Sequence, residues 1–157
     1  MKYALLTMAS IALMNSCFAE ITPTEGLWES TGEIPAEQKD MFQKMPPEAM
    51  KQMQKNGMRI DPQAGTMTVS YCLNKDKISQ WHQMGQKPQQ NCDKPQISNN
   101  GNTVTMDITC HKPHASKMHS VIQFNAAHDQ YQYTHLIESD QHSMTMRGHA
   151  KRIGDCK

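Results

Sequence analysis

The chain is short of aromatic residues, of net charge and of long apolar runs, and each shortage excludes something. Two Trp, four Tyr and three Phe in 157 residues leave few large anchors for a core. Sixteen Lys and Arg against fifteen Asp and Glu give a formal charge of +1. No basic face is therefore expected for nucleic acid, nor any strong electrostatic attraction to a membrane surface. The longest mostly apolar stretch, Ala4–Met14, runs to eleven residues, short of the ~20 that span a bilayer. Sequence patterns with catalytic meaning are missing as well. There is no Gly-x-Ser-x-Gly, no His-Glu-x-x-His, no phosphate-binding glycine loop and no dinucleotide fingerprint. Asp and Glu fall mainly in turns and on polar faces, and an enzyme is not expected.

What is present begins with an export signal. Met1-Lys2-Tyr3 supplies a basic start, Ala4–Met14 an apolar run, and Ser16-Cys17-Phe18-Ala19 a small-residue stretch before Glu20. This order is that of a secretory signal removed on export, so residues 1–19 are read as the signal and 20–157 as one domain. Cleavage after Ala19 gives a soluble periplasmic chain, whereas cleavage before Cys17 would leave a lipidated anchor. Met14-Asn15-Ser16-Cys17 departs from the Leu-Ala-Gly-Cys pattern of such anchors, and the soluble form is preferred. No transmembrane helix is expected after cleavage, and the chain is expected to be a monomer.

The mature part holds four cysteines, Cys72, Cys92, Cys110 and Cys156. An even number in a small exported domain reads as two disulfides rather than a redox or zinc site, since no Cys-x-x-Cys occurs. All eight His and eleven of the fourteen Met also lie there.

Gly26–Ile34 reads as a first strand anchored by Trp28. Pro35 ends it and opens a helical stretch from Ala36 to about Asn56, with Met41, Met45, Met50 and Met53 at helical spacings. Pro46-Pro47 splits that stretch into two helices or a sharp kink. Thr66–Leu73 alternates with period two and is a strand. Asn74 caps a short helix expected to run through Ile78 and Trp81. Ile97 precedes an Asn99-Asn100-Gly101-Asn102 hairpin turn, and Thr103–Cys110 alternates with Val104, Met106, Ile108 and Cys110 on one face. Ser116–Ala126, Tyr131–Ser139 and Ser143–Ile153 follow as strands. The fold class is α+β: a predominantly antiparallel β meander, as a curved sheet or partly closed barrel, with a Met-rich helical insertion and two disulfides. A turn centred near Asn100-Gly101 sets Cys92 opposite Cys110 within a residue, which leaves Cys72 to pair with Cys156.

Several of these stretches together resemble a known family. They are Gly26-Leu27-Trp28-Glu29, the Pro-Pro-Glu-x-Met-x-x-Met run at Pro46–Met53, and Thr68-Val69-Ser70-Tyr71-Cys72-Leu73. Cys92 with Ser98–Val104 and Cys110, and the closing Arg152-Ile153-Gly154-Asp155-Cys156, complete the set. The chain resembles the bacterial exported family of domain of unknown function 3617. The resemblance implies an envelope location and a small β-rich domain, and it carries no activity or catalytic residues.

Two function classes remain. Thioethers select Cu(I), and imidazole suits copper and zinc. Met144 with Met146, and His111, His114 and His119 near Met118, are accordingly candidate metal ligands, with the helical methionines Met41, Met45, Met50 and Met53 beside them. Against this, Met144 and Met146 share a core-like face with Gly148 and Ala150, and helical Met is commonly adaptable packing. The preferred reading is a non-catalytic binding or envelope-maintenance module without a cofactor, with an envelope protein or an apolar ligand as partner. Copper binding is the alternative.

Overall fold

The computed structural model describes residues 21–79, 81, 91–113, 115–140 and 142–157. The signal reading of residues 1–19 lies outside them.

Eight strands form one antiparallel sheet: β1 (Gly26–Glu33), β2 (Met58–Asp61), β3 (Thr66–Leu73), β4 (Gln96–Asn100), β5 (Thr103–Cys110), β6 (Ser116–Phe124), β7 (Gln130–Ser139) and β8 (Ser143–Gly154). Their spatial order is β2-β3-β1-β8-β7-β6-β5-β4. β4 to β8 are the expected five-strand meander, and β1 joins it by pairing with β8 on one side and β3 on the other. The sheet is open. β2 and β4 are its edges, so the partly closed barrel is replaced by a single open layer. Both edges are short, at four and five residues, and Lys94-Pro95 and Pro62 flank them, which limits pairing with other chains.

Three helices were found among the described residues. α1 (Ala36–Gln43) and α2 (Pro47–Lys55) are separated at Pro46, as the prolines require, and neither carries a buried residue. They are better described as a crossover than as an insertion. β1 and β2 both run antiparallel to β3 and therefore parallel to each other, with β3 between them. Parallel strands cannot be joined by a tight turn and need a long connection. β2 is four residues long, Met58 and Ile60 alternating with Arg59 and Asp61, too brief a pattern to mark a strand in the sequence. α3 (Lys75–Ile78) is capped by the Asn74 side chain, which accepts from the Lys77 amide at 3.2 Å, but it ends at Ile78, before Trp81.

Strand alternation puts the apolar side chains on one face. One row crosses all eight strands: Asn99, Val104, Ile122, Tyr133, Gly148, Gly32, Met67 and Ile60. The core occupies one end of this inner face, where Trp28, Leu73, Ile122, Phe124 and Ala150 meet Ile21 and Trp81. Trp81 lies edge-on to Phe124 at 5.2 Å between ring centres. It belongs to the connection that carries the chain from β3 to the far edge β4, so that connection supplies part of the second layer over the core.

The disulfides join Cys72 to Cys156 and Cys92 to Cys110. Leu27 of β1 faces Cys72 on one side and Gly154 on the other, so the first bridge straps the C-terminus across the start of β1. The β4–β5 turn places Gly101 at φ 58°, the left-handed position that favours glycine at the first site of a two-residue hairpin.

Candidate functional site

Beyond the core, the inner face is lined by sulfur and aliphatic carbon. Six strand methionines exist among the described residues, Met58, Met67, Met106, Met118, Met144 and Met146, and the register puts all six on this face. Ile108, Met118, Ile137 and Met144 form one cross-strand row, and Met106, Ser120, His135 and Met146 the next. Met106 and Ser120 are fully buried, while Met118, Ile137, Met144 and Met146 are half-buried. The opposite face is largely polar, with Arg59 and Lys151 against Glu29 at 3.4 and 4.0 Å.

Two pairs of polar groups on the inner face hydrogen-bond each other. Ser120 meets His135 Nδ1 at 2.9 Å, and the His135 ring stacks on Tyr133 at 4.8 Å. Burial lowers the proton affinity of His135 below the ordinary imidazole value, because desolvation disfavours the charged ring. The Tyr71 and Tyr131 hydroxyls share a hydrogen bond of 2.8 Å, and desolvation raises the pKa of both phenols. Tyr133 lies across the sheet: its hydroxyl comes within 2.6 Å of where a Cβ on Gly32 would stand, and crowds the same position on Gly148. Two glycines on β8 and β1 thus make room for one ring from β7.

The candidate metal ligands divide between the two faces. Met144 and Met146 are on the inner one. His119 follows Met118 in the chain and therefore points the other way, onto Asp107 at 2.7 Å. His111 lies past the end of β5 and contacts Asp93 at 3.0 Å. His114 lies outside the described residues. Met50 and Met53 sit half-buried on α2, and Met41 on α1 is exposed. Among the described residues no three His, Cys, Asp or Glu side chains converge on a metal-sized site. Sequence reading passed over His135 and Ser120, although both sit in alternation with apolar residues: Tyr133, His135 and Ile137 on one strand, Met118, Ser120 and Ile122 on the other.

A family model described as a protein of unknown function, DUF3617, matches residues 23–156. The chain belongs to that family. None of the curated proteins and none of the solved structures matches it. The stretches that resemble DUF3617 proteins do structural work here. Trp28 is wholly buried and donates its indole N–H to the Thr24 carbonyl at 2.9 Å. Arg152, in the closing stretch, donates to the Glu25 carbonyl at 2.6 Å and pairs with Asp155. Gly26 takes φ 147° beneath that guanidinium. These residues all lie within the span that matches DUF3617, and no described helix is long and apolar enough to cross a membrane.

Proposed function

We propose that the chain is an exported, non-catalytic binding module of the bacterial envelope, and that it holds a long acyl chain on the inner face of its sheet. The observation that carries this reading is the gathering of all six strand methionines on one face. Unbranched, polarizable side chains adapt to an irregular apolar guest. An acyl chain suits this surface better than a peptide. Ser120 with His135 Nδ1, and Tyr71 with Tyr131, already hydrogen-bond each other, so few polar groups there could meet a peptide backbone, and each backbone group left unpaired would cost about 1–3 kcal/mol. Export is supported by the order of charge, apolar run and small residues in Met1–Ala19, and by two disulfides, which persist in oxidising compartments.

Native mass spectrometry of the mature protein purified from bacterial envelopes tests the reading. A population carrying one additional mass of fatty-acyl size, removed by organic extraction, is expected. Ligand-free protein, which also fails to take up added long-chain fatty acid, would refute it.

A further inference from the structure

We propose that His135, Met146 and Met144 form a binding site for a soft monovalent cation, Cu(I), on the inner face of the sheet.

Placement is the first argument. Met146 lies directly opposite His135 across the β7–β8 ladder, and Met144 lies two residues along, opposite Ile137. Directly opposed side chains on one sheet face have Cβ atoms about 4.5–5.5 Å apart, and diagonal ones about 7–8 Å. Methionine has three side-chain torsions with which to close such gaps around a common centre. Met118 faces Ile137 from the other side and stands on the same diagonal.

The imidazole is prepared for ligation. Ser120 is wholly buried and engages Nδ1, which fixes the ring orientation as an outer partner does for most metal-bound histidines. Nε2, the nitrogen farther from the backbone, makes no hydrogen bond among the described residues. Stacking on Tyr133 restricts the ring further.

The donor set then selects the ion. Neither of the two cross-strand rows around His135 carries a carboxylate, so a hard divalent cation would find no anionic oxygen and would bring two uncompensated charges. Thioether and imidazole together favour Cu(I). The histidines with carboxylate partners, His111 and His119, stand elsewhere.

This site does not rest on acyl binding, and the two separate experimentally. Replacing Met144 and Met146 together by Leu keeps an apolar surface of similar volume but removes both sulfurs. The mature protein is titrated with Cu(I) under anaerobic conditions against a chromophoric Cu(I) chelator. One equivalent withdrawn is expected for wild type. Loss of that withdrawal is expected for His135→Gln and for the double Leu variant. Ser120→Ala weakens binding about tenfold, as loss of an outer partner does. His119→Gln and the helical pair Met50→Leu/Met53→Leu leave it unchanged. Met methyl resonances in wild type give a second readout that needs no variant to fold, with Met144 and Met146 shifting on Cu(I) addition and Met50 and Met53 still. No binding tighter than micromolar, or undiminished binding by the Met144→Leu/Met146→Leu variant, overturns the proposal.

Discussion

His135 shows how much one residue depends on its face. On the outer side of the sheet His119 is exposed and meets a carboxylate; on the inner side His135 meets a serine hydroxyl and is desolvated. Its proton affinity is lowered, so as pH falls the unfolded chain takes up the proton first. The native packing is at full strength above the ordinary value of 6.5, and stability declines as pH drops through 6.5 toward the folded value. Its inner-face neighbours Ser120, Met106 and Met146 carry no carboxylate or amine to offset that decline. Urea midpoints between pH 8 and 5 should fall for wild type and fall less for His135→Gln; parallel curves would contradict this. Gly148 makes the complementary point about space. A Cβ there would run into the Tyr133 ring and the Thr31 carbonyl, one of them rigid backbone. Gly148→Ala should cost about 1–3 kcal/mol, the usual size of overpacking, read as a lowered denaturation midpoint. Neither residue was legible in advance as special. A histidine in a polar-looking strand reads like any other until the ladder shows which face it occupies.

At the level of elements, local pattern was a good guide; of the long-range pairings Cys72 with Cys156 was legible, and the partners of β1 and β2 were not. Thr103–Cys110 declared itself by alternation, the Asn-Gly turn set its hairpin, and the pairing of Cys92 with Cys110 followed from that turn. The actual β4–β5 register sets Asn100 against Thr103 and Ile97 against Met106, and the Cys92–Cys110 bridge slips by one from it. Pro46-Pro47 divided α1 from α2 as proline must. The role of those helices was hidden, because nothing local says that β1 and β2 are parallel neighbours of β3. Their methionines at helical spacings suggested packing, yet neither helix buries a residue. The two disulfides should differ in worth. Their sequence separations of 84 and 18 residues correspond to about 4.5 and about 3 kcal/mol in the loop-entropy account. Cys72→Ala/Cys156→Ala should therefore lower the unfolding free energy more than Cys92→Ala/Cys110→Ala does. The reverse order would show that native contacts around the bridges, not the loops they close, set their value.

For the whole molecule, the arrangement is one open sheet with a polar side and a methionine-lined side, and its core is gathered at one end. The composition announced the methionines, while only the register shows that six of them share a surface. Membership of DUF3617 carries no activity and leaves the surface to be explained by its chemistry. Adjacent positions on one strand separate the two sides cleanly. Ile137 lies on the inner face between Met118 and Met144, and Leu136 on the outer face between His119 and Thr145. Both are half-buried, so a lysine at either is a comparable insult to the fold. The decisive measurement is titration of delipidated mature protein with a fluorescent long-chain polyene fatty acid. Wild type and Leu136→Lys are compared with Ile137→Lys, each first shown to be folded by circular dichroism. Saturable binding to the first two and its loss in Ile137→Lys is the expected result. Equal binding by all three, or none by wild type, would contradict a ligand held on the inner face.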